Sequence, residues 1–511
     1  QFGGFTNFAE IYIDVNHNYS KNYKRTLNLN EAISTVNYQY ENVEYTREYF
    51  ANYPSQIIAV KLKADKPGMI SFTIRPTIPY LKPFDKEQNG RSGHVQVLPG
   101  LITMTGNIQY YDLDYEAQIK IVNYNGTLTC KNENKQNGII EVTDADSVVL
   151  YITAATSYQL QENVFLRPNT AKFKGNVHPH SLITNRIKEA VGKGYEFLRK
   201  EHIVDYQYFF NRVDLQLTDR IPAIPTDKLL SQYRSGKHDT YLEELFFQYG
   251  RYLLIASSRN GSLPANLQGV WTQYDFSPWS GGYWHNINIQ MNYWHVFNTN
   301  LSELFNPYME YNETFRKAGV QKAIDYITRH NPTALNPINE ENGWTIGTGA
   351  TAFNIEAPGG HSGPGTGGFT TKLFWDYYDF TRDTQLLKEH VYPALLGISK
   401  FLSKTLKEQP DGTLLVDPSF SPEQKHNKQY YRTKGCIFDQ SMILETYQDL
   451  LKAAKILNSR DPFLKTVKEQ IGKLDAIKIG ESGQIKEFRE ETKYGEIGEY
   501  THRHISHLCA L

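Results

Sequence analysis

The sequence lacks the features that mark disulfide-stabilised, membrane-spanning or nucleic-acid-binding proteins. Its 511 residues include only three cysteines, which are too few for a disulfide framework and have no metal-ligand spacing. No stretch comes near the roughly 20 apolar residues that a membrane span needs, and the first residues do not show the charged-then-apolar pattern of a signal segment. The 54 basic and 55 acidic residues nearly cancel, and no long run of one sign favours nucleic acid or an anionic membrane as a partner.

Aromatic side chains are what the sequence has in excess. It contains 36 Tyr, 26 Phe and 6 Trp, while the mean hydropathy is negative, at -0.54. Aromatic rings stack on the C–H faces of sugars, and amides and carboxylates bind sugar hydroxyls. The composition therefore suits a neutral polar ligand, although most rings in any protein belong to the core.

Alternating apolar and polar residues over residues 1–175 predict half-buried strands. Clear examples are residues 57–63, 70–74 and 117–121. Turn signals at residues 66–68, 99–100 and 125–126 separate such runs at spacings short enough for antiparallel neighbours. A large β-sandwich is the expected first domain, and a prior of roughly 150 residues per domain allows one or two more.

The hydrophobic period changes to that of a helix after about residue 181. Residues 182–213 predict one helical segment, within a helical linker at residues 176–220. Amphipathic runs follow in a third domain at residues 221–511, with helical spacing over 242–256, 391–402 and 443–457. Helices in antiparallel pairs joined by long aromatic loops are typical of an (α/α) barrel or a helical bundle, and such loops usually carry function.

A dense cluster of amide and tryptophan side chains lies between Asn266 and Trp294. Buried amides are costly unless every donor and acceptor is paired, whereas in a sugar pocket an amide offers both to the hydroxyls. Asn286, Asn288 and Gln290 alternate, so on an extended segment they would converge on one ligand. The alternative is that these amides cap helices or brace loops.

Glu423 is a candidate general acid, at the end of the segment Asp417–Glu423. A carboxyl group at the mouth of a loop can donate a proton if burial raises its pKa toward the working pH. The alternative is structural, because Ser421 as N-cap, Pro422 at the first helical position and Glu423 in the first turn are a good helix start.

Two further motifs have a structural interpretation that we favour. Glycines between residues 359 and 368 loosely resemble a phosphate loop, but no Lys-Ser/Thr follows and no hydrophobic strand precedes them. A close-packed loop leading into a helix from about Phe369 is expected instead. His502, His504 and His507 lie close in sequence, but no carboxylate or Cys at ligand spacing completes a metal site.

Taken in order, several sequence blocks resemble glycoside hydrolase family 95, which is known for α-1,2-L-fucosidases and some α-L-galactosidases. The similarity is specific, and it runs through the whole chain, since the β-rich start also resembles the family's N-terminal sandwich. The blocks are Tyr249–Arg259, Leu263–Gly269, Asn286–Trp294, Ser421–Glu423 and His502–Leu508.

The resemblance implies an N-terminal β-sandwich, a helical linker and an (α/α)6 barrel, incomplete in these residues, with a further β-domain after it. The family hydrolyses with inversion, so one group protonates the leaving oxygen while water attacks the opposite face. By position, Glu423 matches the general acid, Asn286 and Asn288 match the amides that hold the water, and His502 or His504 matches a fucose contact. The further substrate contacts that we expect are Trp271, Trp284, His285, Gln290, Trp294 and His361.

Two departures from the family pattern affect these expectations. An amide is a poor base, so an Asp is understood to activate the water, and it should lie several tens of residues beyond His504, whereas the sequence ends at Leu511. We therefore expect these residues to be part of a longer enzyme. Trp284 stands where relatives tend to carry His or Thr near the sugar's C5 substituent, which leaves the choice between fucose and galactose open.

The sequence thus predicts an exo-acting inverting glycosidase that releases terminal α-L-fucose, or α-L-galactose, from a glycan. The alternatives are a catalytically impaired relative that binds glycans, and another (α/α)6-barrel glycosidase or phosphorylase. No metal or organic cofactor is implied, because carboxyl and amide groups suffice for protonation and water attack. Such glycans are met outside the cytoplasm, so a periplasmic, cell-surface or secreted location is expected, while linkage preference and oligomeric state lie beyond the sequence.

Overall fold

The computed structural model describes residues 3–78, 90–132, 138–475, 477–499 and 501–510, and its first part is a sandwich of two antiparallel sheets. Its strands are β1 (Glu10–Asp14), β2 (Lys21–Asn28), β3 (Ile33–Tyr40), β4 (Val43–Asn52), β5 (Ile57–Ala64), β6 (Ile70–Thr77), β7 (Arg91–Leu98), β8 (Leu101–Ile108), β9 (Leu113–Tyr124), β10 (Thr127–Asn132), β11 (Gly138–Ala145) and β12 (Ser147–Thr156). The smaller sheet has the order β1-β6-β11-β10, and the larger has the order β2-β3-β4-β5-β12-β9-β8-β7.

Burial along the strands follows the apolar alternation. In β6, Ile70, Phe72 and Ile74 are buried in the core between the sheets while Ser71 is exposed, so the prediction of a half-buried strand is confirmed there. The strand β5 differs, because it is buried on both faces at its centre. Its Leu62 faces the smaller sheet, whereas Ala59 packs against helices on the outer side.

The predicted turns are present, but only one of the three joins hydrogen-bonded neighbours. Gly100, with a φ of 72°, closes the hairpin of β7 and β8. The turns at Gly68 and at Asn125-Gly126 carry the chain from the larger sheet to the smaller one, or back, since β5 and β9 lie in the larger sheet and β6 and β10 in the smaller. Short spacing along the sequence does not distinguish a hairpin from a crossover between packed sheets.

Three helices follow the sandwich: α1 (Glu162–Leu166), α2 (His180–Lys193) and α3 (Tyr195–Phe210). The single helical segment predicted for residues 182–213 is therefore wrong in one respect, because it is broken at Gly194. That residue has a φ of 75° and a ψ of 162°, a region open essentially to glycine alone. Ile187 of α2 and Leu198 of α3 pack against the outer face of the larger sheet.

The rest of the described chain is mainly helical, with short strand pairs in its loops. The helices are α4 (Thr226–Arg234), α5 (Thr240–Ser257), α6 (Asn288–Tyr293), α7 (Asn306–His330), α8 (Gly365–Thr381), α9 (Thr384–Leu386), α10 (Tyr392–Ser403), α11 (Ile437–Leu457) and α12 (Phe463–Ile471). The pairs are β13 (Tyr283–Trp284) with β14 (Gly349–Ala350), β15 (Leu406–Glu408) with β16 (Leu414–Val416), and β17 (Lys425–His426) with β18 (Gln429–Tyr430). Helices α8, α10 and α11 pack on one another around a large apolar core.

The predicted amphipathic helices are confirmed, with shifted bounds. Helix α5 ends before Asn260-Gly261 as expected, and α11 contains the run predicted at residues 443–457. A π-helical turn at Leu387–Val391 precedes α10. Helix α8 begins at Gly365, earlier than the start predicted near Phe369, because the Gly365 N–H donates to a buried carboxylate of α11.

Polar contacts fix the helical part to the sandwich and the linker. Arg91 at the start of β7 forms an ion pair with Asp275 at 2.6 Å. Arg251 of α5 is fully buried, and its guanidinium donates to the carbonyl oxygens of Phe209 and Phe210, at the carboxyl end of α3, where a positive charge is favourable. Within the described ranges, no helix is both long and apolar enough to span a bilayer.

Gly194→Ala tests the break between α2 and α3. Because the substitution forces a side chain into a φ of 75°, we expect it to lower stability by roughly 1–3 kcal/mol. Gly192→Ala, inside α2, is the matched control, since a Cβ there meets nothing within 4 Å and alanine favours a helix by up to about 1 kcal/mol. Thermal unfolding measures both variants, and a shift of the same sign in both would contradict the break.

Candidate functional site

Four chain segments meet around the carboxyl group of Glu423. They are the turn after β13 with Asn286, the loop between β16 and β17 with Glu423 itself, the glycine-rich loop before α8 with His361, and the segment of residues 502–507. Asn286 and Glu423 are 137 residues apart in sequence. The fold thus brings together residues from all four of the motifs that the sequence singled out.

A buried carboxylate, that of Asp439 on α11, holds two of these loops in place. Its Oδ1 accepts from Gly365 N at 2.7 Å, and its Oδ2 accepts from Ser419 Oγ at 2.6 Å and from Phe420 N at 3.2 Å. A Cβ added at Gly363 would lie 2.1 Å from Asp439 Oδ2, and one at Gly365 would lie 2.8 Å from Oδ1. The close approach of this carboxylate therefore explains the glycine spacing. It supports the interpretation of a close-packed loop over that of a phosphate loop. Burial raises the pKa of Asp439 to about 6.

Glu423 is partly buried and has partners on both carboxylate oxygens. Its Oε1 accepts from Asn286 Nδ2 at 3.0 Å, and its Oε2 pairs with Arg503 Nη2 at 2.8 Å, while His361 Nδ1 lies 3.9 Å from Oε1. His361 foremost, then Asn286 and the positive fields of His504 and Arg503, lower the pKa of Glu423 to about 2 in spite of its burial. The condition named for a general acid, a pKa raised by burial, is not met in this arrangement, because the hydrogen bonds and charges of the neighbours outweigh desolvation.

The loop that carries Glu423 is a turn rather than the helix start considered as the structural alternative. Gln424 N donates to Ser421 O at 2.9 Å, and the chain then enters the hairpin of β17 and β18. The hydroxyl of Ser421 donates to the buried carboxylate of Glu487, and Ser506 Oγ donates to Pro422 O at 3.0 Å. Two long-range contacts thus fix the turn just before Glu423.

Asn286 is nearly fully buried, and only one of its two amide atoms has a partner. Its Nδ2 donates to Glu423, whereas its Oδ1 accepts no hydrogen bond from any described residue. The indole Nε1 of Trp284, on β13, is likewise buried and unpaired within the described part of the chain. A free acceptor beside a carboxylate, with a free donor two positions earlier in the chain, is suited to hydroxyl groups or water.

The prediction of an extended segment through Asn286, Asn288 and Gln290 is wrong. Strand β13 ends at Trp284, Asn286 lies in a turn, and Asn288 is the first residue of α6. Residues two apart on a helix do not face the same side, so Asn288 and Gln290 do not converge. Gln290 is fully buried, and its Nε2 donates to His285 O at 2.6 Å, which braces the turn. Asn288 is partly exposed, and its amide bonds to no other described residue.

His285 is buried, uncharged and held in one tautomer. The hydroxyl of Thr370 donates to Thr366 O at 2.9 Å, so it accepts the 3.0 Å hydrogen bond from His285 Nδ1. Burial lowers the pKa of His285 to about 3. The proton is therefore on Nδ1, and Nε2 is an acceptor without a partner among the described residues. With 1% of its surface exposed, His285 supports the turn from inside.

The other predicted contacts divide into two groups. Trp271 and Trp294 are 45% and 51% exposed, and no hydrogen bond or ring contact within the described ranges links either of them to Glu423. His502 and His504 are adjacent, with ring centroids 5.0 Å apart, and His504 N donates to His502 Nδ1 at 3.0 Å. Arg503, which lies between them in the sequence, pairs with Glu423 at 2.8 Å, so the two histidines flank a residue of the site.

Four residues that shape the site were not predicted from the sequence: Arg503, Tyr430, Asp439 and Glu487. Arg503 lies inside the block of residues 502–508 that the family resemblance identified, so its position was the available signal. Tyr430 OH lies 3.0 Å from His361 Nδ1, and a carboxylate oxygen of Glu487 lies 3.3 Å from His507 Nδ1. The partners in these contacts are far apart in the sequence, so no local sequence pattern indicates them.

The architecture defines the fold class, an antiparallel β-sandwich followed by a mainly helical part with the candidate site in its loops. A solved structure described as a kojibiose phosphorylase from the human microbiome matches with a TM-score of 0.59 and 11% identity, over 94% of this chain and 61% of that one. At that identity the match shows the fold alone. The N-terminal domain model of glycosyl hydrolase family 65 matches residues 1–161.

The chain belongs to glycosyl hydrolase family 95, since the model of that family's catalytic domain matches residues 194–511. Alpha-L-fucosidase 2 of Arabidopsis thaliana is 30% identical over 527 residues, which cover 96% of this chain and 58% of that protein. Probable alpha-fucosidase A of Aspergillus niger is 30% identical over 522 residues, which cover 99% of this chain and 62% of that protein. The chain therefore spans about three fifths of the length of these relatives.

Asp439→Asn tests the buried carboxylate through its pH dependence. The pKa is raised to about 6 in the folded protein from 3.8, so the stability contributed by the protonated group is present below about pH 4 and is lost as the pH rises through 6. The amide does not titrate, so the stability of the wild type relative to the variant should fall between pH 4 and pH 7, by roughly 3 kcal/mol. Thermal unfolding across this range measures the difference, and a constant difference would show that the pKa is not raised.

Proposed function

We propose that the protein is an exo-acting inverting glycoside hydrolase that releases a terminal α-L-fucose residue from glycans. The observation that carries the proposal is the 3.0 Å hydrogen bond from the buried Asn286 to Glu423, because it joins a group that can transfer a proton to one that can hold water. Membership of family 95 and the relatives named as fucosidases support the reaction and the sugar. Terminal α-L-galactose is the second substrate to test.

We further propose a periplasmic, cell-surface or secreted location, where such glycans occur.

The two residues have complementary roles in the proposed reaction. Glu423 donates its proton to the glycosidic oxygen as the bond from that oxygen to the anomeric carbon breaks, which releases the leaving group as an alcohol. Water adds to the anomeric carbon from the opposite face, so the sugar is released with inverted configuration. The amide of Asn286 has its Nδ2 on Glu423 and its Oδ1 unpaired by any described residue, so Oδ1 can accept a hydrogen of that water. We assign Asn288 as the second amide.

The attacking water must also lose a proton, and an amide does not take it. Within the described residues, the carboxylate that contacts Asn286 is that of Glu423, which serves as the acid. The proposed reaction therefore needs a second carboxylate on the water's side of the sugar, as inverting hydrolysis does in general.

Glu423 must take up a proton before it can act, because its pKa of about 2 keeps it ionised in the unliganded protein. The side chains of Arg503 and His361, which stabilise the ionised form, are 68% and 51% exposed. A bound glycan can therefore displace them without opening the core. Loss of these partners raises the pKa of Glu423, and its burial acts in the same direction. We expect the carboxyl group to be protonated when substrate is in place.

Glu423→Gln tests the proton donor with two leaving groups. The protein, expressed from its complete reading frame, is assayed with 2′-fucosyllactose, whose alkoxide leaving group needs a proton, and with α-L-fucosyl fluoride, whose fluoride does not. We expect kcat for the trisaccharide to fall by about 10²- to 10⁴-fold, with a much smaller fall for the fluoride. Equal losses on both substrates, or no loss on either, would sink the assignment of Glu423 as the acid.

Asn286→Ala is the matched control, since it removes the proposed water-holding amide and should lower kcat for both substrates alike. Proton NMR of the first product distinguishes the stereochemistry, because inversion releases the β-anomer of L-fucose and retention the α-anomer. A rate that depends on added phosphate would assign the reaction to a phosphorylase instead.

A further inference from the structure

We propose that His361, Tyr430 and Arg503 form the subsite for the leaving group, the part of the glycan to which the cleaved sugar is attached. The inference rests on the proposed function, in which Glu423 protonates the oxygen between the two parts. The expected ligand is a neutral hexose unit, such as the galactose of 2′-fucosyllactose. One face of that ring lies against Tyr430, and its hydroxyls bind His361 and Arg503.

The location of the subsite follows from the two sides of Glu423. On the enclosed side, the buried Asn286 donates to Oε1. On the open side, Arg503 binds Oε2 with a side chain that is 68% exposed. The oxygen that is protonated must touch Glu423, so the terminal sugar lies on the enclosed side, and the rest of the glycan leaves past Arg503 toward solvent.

A short hairpin places Tyr430 on this open side. Strands β17 and β18 are joined by Asn427 and Lys428, whose φ values are 51° and 65°, as in the two-residue turns that match the twist of a hairpin. The hairpin is also anchored away from Glu423, because His426 Nδ1 donates to Ile497 O at 2.7 Å. The position of Tyr430 is thus fixed by backbone geometry and by a separate contact.

Tyr430 and His361 form a packed pair next to Glu423. Their ring centroids are 4.6 Å apart, and the Tyr430 hydroxyl lies 3.0 Å from His361 Nδ1. The tyrosine ring lies against Gly360, where an added Cβ would be 2.7 Å from Tyr430 Cδ2. Two loops therefore pack around the ring of Tyr430, although proton transfer from Glu423 does not need this ring. Binding of the leaving-group sugar would give the ring a function.

Two of these three side chains connect leaving-group binding with the protonation state of the acid. Arg503 and His361 hold Glu423 ionised in the free protein. When hydroxyls of the leaving group become their partners, the carboxyl group loses the contacts that favour its charge. Occupation of the subsite therefore prepares Glu423 to carry the proton that the reaction uses.

Gly360→Ala and Tyr430→Ala test the subsite, the first by displacing the ring and the second by removing it. We expect each to lower kcat/KM for 2′-fucosyllactose by about ten-fold more than for α-L-fucosyl fluoride, whose leaving group contains no sugar to bind. Gly359→Ala is the matched control, because it makes the same chemical change at a position where a Cβ meets nothing within 4 Å. Both rates of this control should equal those of the wild type.

The possible outcomes separate the subsite from the proposed function. If the wild type hydrolyses both substrates and the two variants lower both rates by one common factor, or change neither, the subsite is overturned and the proposed function stands. If the wild type hydrolyses neither substrate, the proposed function fails and the subsite with it. Should the alanine variants not fold, as judged by circular dichroism, Tyr430→Leu decides, because it keeps an apolar side chain but removes the aromatic face. The rate for 2′-fucosyllactose relative to that for α-L-fucosyl fluoride should fall, and an unchanged ratio would overturn the subsite.

Discussion

The buried carboxylate of Asp439 is the interaction on which the candidate site depends. It lies near the start of α11 and accepts hydrogen bonds from Gly365, where the glycine-rich loop becomes α8, and from Ser419 and Phe420 in the loop that carries Glu423. A buried charge is expensive unless donors converge on it, and here donors from two distant loops do so. His361 and Glu423 lie only a few residues from these hydrogen bonds. The distance between the two side chains therefore depends on helix α11, which carries Asp439.

Unpaired polar atoms occur in the segments that meet at Glu423. Trp284 Nε1, Asn286 Oδ1 and His504 Nδ1 are buried and find no partner among the described residues. Each such atom costs about 1–3 kcal/mol in a folded protein, so their concentration in the segments that meet at Glu423 calls for a ligand that satisfies them. A sugar carries donors and acceptors on every hydroxyl, which suits this set of an indole donor, an amide acceptor and an imidazole.

Local patterns predicted the elements whose burial is local. The alternation in β6 and the helical spacing in α5 each reflect one buried face, so a few neighbouring residues were enough to predict these elements. The family resemblance located Glu423 and Asn286. The remaining features of the site depend on long-range contacts, which local patterns do not show. The alternation of residues 286–290 resembles a strand, yet a bond from Gln290 to the backbone of His285 holds a turn and a helix. The lowered pKa of Glu423 depends on His361 and on Arg503, which lies 80 residues further along the chain, so the sequence could not show whether burial would raise this pKa.

A crystal structure of the Glu423→Gln variant with 2′-fucosyllactose bound would test most directly that Asn286 and Glu423 flank the bond to be cleaved. The fucose should lie on the enclosed side, with its glycosidic oxygen against the side chain at position 423 and its anomeric carbon facing the amide of Asn286. Arg503 should have left position 423 for hydroxyls of the lactose unit. A trisaccharide bound away from these two residues, or one whose glycosidic oxygen does not reach position 423, would contradict this site.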